Sequence, residues 1–186
     1  YVKEGYKAEN SNGTWTVSAE SPVAQIGDKQ YASLEDAVTA ASVNDTIKVI
    51  DSTSLTKKLT INKNVTIDGN GKTITANTND AGVYIEVMGG TFNLSNATLK
   101  DFGGAVGTQS GNAVIKVPST AAEDTKVNTT NVNVSDFNRS AYDISAGTFS
   151  ITDGTIDCTN SNTANTILTK GIKAGGTSSK ISGTIS

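Results

Sequence analysis

Leu59-Thr-Ile61-Asn-Lys-Asn64-Val65-Thr-Ile67, Phe92-Asn-Leu94-Ser-Asn96-Ala97-Thr-Leu99, Val127-Asn-Thr129-Thr-Asn131-Val132-Asn-Val134 and Phe149-Ser-Ile151-Thr-Asp153-Gly154-Thr-Ile156 are versions of one pattern, two short alternating runs around a polar turn. A truncated copy, Ile181-Ser-Gly183-Thr-Ile185, closes the series. The first four units start at positions 59, 92, 127 and 149, so the spacing varies while the local pattern holds. Strands of constant design joined by loops of variable length would produce this, and repetition of this kind decides architecture before any other signal.

Side chains of a strand alternate between faces. Leu59, Ile61, Val65, Ile67, Phe92, Leu94, Leu99, Val132, Val134, Phe149, Ile151 and Ile156 therefore point one way, while Thr60, Thr66, Asn93, Thr98, Asn133 and Ser150 are among those that point the other. Consecutive runs lack the tight hairpin signals of an antiparallel meander. Asn64, Asn96, Asn131 and Asp153-Gly154 instead hold the same place in each unit, as bends through the left-handed region that these residues tolerate. The expected fold is all-β, a parallel β-helix whose bends stack as a ladder. Runs at 72–75, 83–87, 113–117 and 142–144 supply a third strand to several turns of the coil.

Upstream of the repeats, residues 45–186 give way to two smaller segments. Residues 1–22 form a connector whose hairpin pairs Tyr6–Ala8 with Thr14–Val17 across Asn10-Ser-Asn-Gly13, and 23–44 hold a second hairpin, Val23–Ile26 with Lys29–Tyr31 across Gly27-Asp28, and a helix. Ser33 caps that helix, Asp36 follows three residues later, and Leu34, Ala37, Val38 and Ala41 recur at helical spacing until Val43-Asn44-Asp45 ends it.

Composition narrows the function. Thr, Ser, Asn and Gly fill 82 of 186 positions, His is absent, and net charge is −3. The 14 Lys and single Arg are scattered, which argues against nucleic acid as a partner. No apolar run is long enough to cross a bilayer or to read as a signal-peptide core. Lone Cys158 permits no intramolecular disulfide and continues the inward alternation from Ile156, as a buried thiol would.

The stretches Ala24-Gln-Ile-Gly-Asp-Lys-Gln-Tyr-Ala-Ser-Leu-Glu-Asp-Ala-Val-Thr-Ala-Ala41, Asn44-Asp-Thr-Ile-Lys-Val-Ile50 and Leu59-Thr-Ile-Asn-Lys-Asn-Val-Thr-Ile-Asp-Gly-Asn-Gly-Lys-Thr-Ile74 resemble the opening of pectate-lyase-like β-helices in large cell-surface proteins of gut Firmicutes-type bacteria. The resemblance implies a right-handed coil whose N-terminal end is covered by the short helix, a secreted or cell-surface location, and neighbouring domains in a longer chain. The pattern breaks off at Ser186 in mid-unit, so a coil truncated at its C-terminal end is expected.

Polysaccharide enzymes of that superfamily use clustered carboxylates, with calcium and a basic residue for elimination or with a paired acid and base for hydrolysis. Asp68, Asp101, Asp136, Asp153 and Asp157 face outward without forming such a pair; if the chain were an enzyme, Asp136 and Arg139, in Asp136-Phe-Asn-Arg139, would be the candidates. Asp68-Gly-Asn-Gly71 and Asn77-Thr-Asn-Asp80 offer oxygen ligands of the calcium type, though each reads first as a turn. No other cofactor or metal is implied. Thr-x-Thr at 14–16 and 73–75 lacks the regular array of an ice-binding face, and the Asn-x-Ser/Thr sequons reflect composition. The expected function is a non-catalytic structural or adhesion module that presents glycan- or protein-binding loops at 102–112, 118–126 and 159–166. The alternative is a fragment of a lyase or hydrolase acting on uronic-acid polymers.

Overall fold

Phe92 lies opposite Val127, and Val127 opposite Phe149, in strands that run the same way. This parallel register organises the computed structural model, which describes residues 6–19, 21–76, 82–102, 113–157, 170–175 and 182–186. The molecule is mostly β. Its first elements are two hairpins, β1 (Tyr6–Ser11) with β2 (Thr14–Ala19) and β3 (Ala24–Ile26) with β4 (Lys29–Tyr31), then helix α1 (Leu34–Ala40). There follow β5 (Thr46–Val49), β6 (Thr53–Leu55), β7 (Leu59–Ile61), β8 (Val65–Asp68), β9 (Thr73–Ala76) and β10 (Ile85–Val87). The remainder is β11 (Thr91–Lys100), β12 (Ile115–Val117), β13 (Lys126–Ser135), β14 (Ser140–Ile144), β15 (Thr148–Asp157), β16 (Lys170–Ala174) and β17 (Ser182–Ile185).

From β7 onward the chain passes back and forth between two parallel sheets, with β8 and β9 both in the broad one. A narrow sheet has the order β16-β14-β12-β10-β7, and a broad one runs β17-β15-β13-β11-β8-β5 before the antiparallel β3 and β4. Each step to the next strand of one sheet thus passes through the other, the kind of long connection that parallel neighbours require. Apolar residues from both sheets meet between them: Leu59, Ile61, Ile85, Val87, Ile115 and Ile144 from the narrow sheet, and Val65, Ile67, Phe92, Leu94, Leu99 and Val134 from the broad one, are each at most 2% exposed. Burying such a side chain is worth about 1.5–3 kcal/mol, so the shared core is the main source of cohesion.

The first repeat is displaced from the expected alignment. Val65, not Leu59, stands opposite Phe92, while Leu59–Ile61 pairs with Ile85–Val87 in the narrow sheet. Leu59–Ile67 therefore spans a corner between sheets, whereas Phe92–Leu99 lies within one long bent strand. The bend is a left-handed residue, Asn96 at φ 52°, Asn131 at 54° and Asp153 at 55°, the last followed by Gly154 at 95°. Asn64 is outside this series; its side-chain oxygen accepts from Thr91 N at 2.8 Å, closing the corner between β10 and β11. Of the four intervening runs, only Val83–Val87, Ala113–Val117 and Tyr142–Ile144 feed the narrow sheet; β9 joins the broad one, beside the second half of β11.

At the N-terminal end, Ser33 Oγ accepts from Asp36 N at 3.0 Å, a cap worth about 1 kcal/mol. The helix stops at Ala40, before Val43, and its last carbonyls receive Lys63, whose ammonium donates to Ala41 O and complements the negative helix end. Leu34, Ala37 and Val38 lie buried in the common core with Val49 and Leu55. Glu35 is also buried, and its Oε1 accepts from Thr56 N at 2.7 Å, fastening the helix to the loop after β6. Both expected hairpins form, with Ser11↔Thr14 and Ile26↔Lys29 as their closing pairs. No described helix is long and apolar enough to cross a membrane.

Candidate functional site

The acidic corner proposed from sequence is a structural one. Asp101 and Asp136 both adopt left-handed conformations, φ 62° and 51°, where the long strands end, and each turns the chain so that Phe102 or Phe137 enters the core at 2% exposure. Asn138 N donates to Phe102 O at 3.0 Å, which binds the two corners together. Asp136 pairs with Lys100 at 3.4 Å and accepts from Ser135 Oγ at 3.3 Å. Arg139 is exposed, just beyond buried Phe137 and Asn138. The geometry explains why Asp recurs before Phe in both places: a short polar residue that tolerates positive φ is needed there.

Asp68 is likewise engaged. Its Oδ1 accepts from Asn70 N at 3.0 Å in an Asx turn and from Asn96 Nδ2 at 3.2 Å. Asn131 Nδ2 in turn donates to Asn96 Oδ1 at 3.1 Å, so the ladder expected from the repeats exists but runs Asp68–Asn96–Asn131. Among the described residues no three His, Cys, Asp or Glu side chains are grouped as metal ligands. Cys158, Asn77–Asp80 and the loop 159–166 lie outside the described residues, as does nearly all of 102–112. The segment 118–126 is less of a display loop than expected: Ala121 and Thr125 are buried, and Ala122 N donates to Met88 O at 3.0 Å.

Register reveals two outward surfaces that no single stretch of sequence shows. On the narrow sheet, Thr60, Glu86, Lys116, Asp143 and Lys173 are successive neighbours, a column of alternating charge. Lys173 pairs with Asp143 at 3.0 Å, and Lys58, beside the column, pairs with Glu86 at 2.5 Å. Tyr84 OH donates to Glu86 Oε1 at 3.0 Å, and the ammoniums of Lys58 and Lys116 each stand 5.7 Å from the Tyr84 ring centre. Burial pushes the Glu86 carboxyl up, but hydrogen bonds from Lys58 and Tyr84 and the charges of Lys58 and Lys116 outweigh it, leaving a net downward shift. The hydrogen bond to Glu86 raises Lys58, and burial followed by Glu86 raises Tyr84.

On the broad sheet the outward column Thr66, Asn93, Asn128, Ser150, Thr184 is uncharged. Its amides chain together, Asn128 Nδ2 to Asn93 Oδ1 at 2.9 Å and Asn93 Nδ2 to Thr66 Oγ1 at 3.3 Å. Past the bend runs a second neutral column, Thr73, Thr98, Asn133, Thr155. Between the ladder and this column a shallow depression of about 130 Å³ is lined by Gly71, Asn96, Ala97, Thr98, Asn131 and Asn133. Sequence reasoning placed Thr98 and Asn133 outward, but only register puts them in one place. Compared with protein-family models, with curated proteins and with solved structures, the chain matches none.

Proposed function

We propose that the chain is a right-handed parallel β-helix of pectate-lyase-like type that serves, in a secreted or cell-surface protein, as a non-catalytic structural or adhesion module presenting a surface to glycans or proteins. The observation that carries this reading is the repeated passage of the chain from β7 to β17 between two parallel sheets around one core, broken only where β8 and β9 both join the broad sheet, with strands of equivalent position stacked in register. Successive turns of a coil produce that connectivity, and the packing of α1 into the core beside Val49 and Leu55 supports the covering helix that the resemblance implies. The outward residues favour display over catalysis, since Asp68 and Asp136 serve turns and corners and two outward columns of the broad sheet are neutral amide and hydroxyl. Handedness, location and the presence of further domains follow from the resemblance.

The test is incubation with uronic-acid polymers, with and without calcium, alongside a glycan-binding screen. The reading predicts retention of glycan without turnover. Chain cleavage that disappears in Asp136→Asn or Arg139→Ala would establish the lyase or hydrolase instead.

A further inference from the structure

The depression beside the bend of the broad sheet has a hydrogen-bonding character fixed by its neighbours. Asn131 uses Nδ2 on Asn96, which commits its Oδ1 to the other side as an acceptor. Asn133 Oδ1 accepts from Thr155 Oγ1 at 2.9 Å, which commits its Nδ2 as a donor. Neither of these remaining atoms, nor Thr98 Oγ1, has a hydrogen-bond partner among the described residues. An amide donor on Asn133 and a hydroxyl on Thr98 that can serve either way thus belong to residues lining one cavity, while the Asn131 acceptor lies on the side away from Asn96. Their amide orientations are held by ladder contacts and need no reordering on binding.

The floor is as specific as the rim. Ala97 is 3% exposed, held under Gly69, where a Cβ would come within 2.5 Å of the Ala97 Cβ. At Gly71 an added Cβ would meet nothing within 4 Å, so the missing side chain leaves the depression open. None of the lining residues is charged. A volume of about 130 Å³ is well short of the roughly 300 Å³ at which enclosed ligand pockets begin, so it suits one ring of a ligand that continues along the surface.

We propose that this depression is a subsite for one uncharged sugar ring of a glycan. One sugar hydroxyl accepts from Asn133 Nδ2, and Thr98 Oγ1 donates to or accepts from its neighbour. The assignment rests on the reading of the chain as a glycan-presenting module, and narrows it to neutral sugars on this face. Affinity from a single subsite is low and grows when several rings engage.

The experiment is an NMR titration of the ¹⁵N-labelled chain with glucose, galactose, mannose and xylose oligomers, and with a uronic-acid oligomer as comparison. At least one neutral oligomer should shift Gly71, Asn96–Thr98 and Asn131–Asn133 together with the Asn133 side-chain amide. Asn133→Asp keeps the shape and the Thr155 acceptor but replaces the free donors, and should weaken binding roughly tenfold with an unchanged amide spectrum elsewhere. Thr98→Val should weaken it less. Shifts confined to another surface, wild-type affinity in Asn133→Asp, or no response to any neutral oligomer would overturn the subsite. Glycan binding that maps elsewhere would leave the module reading standing, whereas cleavage of the uronic-acid oligomer would remove that reading without touching the subsite.

Discussion

The narrow and broad sheets bury the same kind of residue and present opposite surfaces. Inward, both contribute Ile, Leu and Val to one core, with Phe from the broad sheet and Tyr142 from the narrow one; outward, the narrow sheet alternates Glu86, Lys116, Asp143 and Lys173, while two central columns of the broad sheet carry only Thr, Asn and Ser. The contrast separates two ways of fixing register. Opposite charges on adjacent strands favour one alignment and penalise slips that bring like charges together. An amide ladder does the same through directed hydrogen bonds, and at Asn131 and Asn133 it leaves half of the amide without a partner among the described residues. The charged surface pairs its ions with one another, while the neutral columns bond amide to amide and keep single groups, such as Asn133 Nδ2, without a partner among the described residues.

The most severe way to break the comparison attacks what the sheets share. Leu94→Asp beneath the broad sheet and Ile85→Asp beneath the narrow one each place a carboxylate at a site 0–1% exposed. Each should cost more than about 4 kcal/mol and abolish the cooperative unfolding transition. Circular dichroism during thermal melting checks this, and a folded Ile85→Asp beside an unfolded Leu94→Asp would show that the sheets do not share a core. Next in size is Gly147→Ala, at the corner where the chain passes from β14 to β15. Gly147 has φ 71°, and a Cβ would lie 2.2 Å from Thr125 O. A loss of about 2–4 kcal/mol in chemical denaturation is expected.

The ladder is dissected by Asn96→Gly against Asn96→Ala. Both remove the side-chain bonds to Asp68 and Asn131, for about 1 kcal/mol, but Ala also has to hold φ 52°, for about 1 kcal/mol more. Equal midpoints for the two variants would show that the left-handed bend is not what Asn96 supplies. The smallest effect belongs to the charged column. Glu86 has a lowered carboxyl pKa in the folded chain, so its contribution is present above the ordinary glutamate value and is lost as pH falls through the lowered one. Lys58 and Tyr84 are raised, so theirs is present below their ordinary values and lost as pH rises through the raised ones. Glu86→Gln should cost less than about 1 kcal/mol at neutral pH and flatten the acid limb of the stability profile; an unaltered acid limb would show that the pair adds nothing to the narrow sheet.

Much of this was legible without coordinates, for physical reasons. Alternation reports burial directly, so every inward residue named from the repeats between Leu59 and Val134 is buried, and Phe149 and Ile156 pack against the core. Ser33 was legible because an N-cap is a local device, as were the two hairpin turns. Register was not. The spelling Leu-x-Ile, Asn, Val-x-Ile fits a corner between sheets at Asn64 as well as a bend within one strand at Asn96, because asparagine can close a turn through its side chain or through left-handed φ. The charge column and the depression at Thr98, Asn131 and Asn133 are cross-strand features, and remain invisible until residues about 22 to 35 positions apart are aligned. Strands β6 and β16 were missed because they lack a run of alternating aliphatics.

The central claim is that equivalent strands run parallel and stack in one register. Through-hydrogen-bond NMR couplings between amide nitrogens and carbonyl carbons test it bond by bond. The account predicts couplings from Ile85 N to Val114 C′, Val114 N to Ser140 C′, Lys126 N to Gly90 C′ and Thr148 N to Thr125 C′. Reciprocal couplings, in which two residues exchange both of their bonds, between the Phe92, Val127 and Phe149 segments would mean antiparallel pairing and would contradict it.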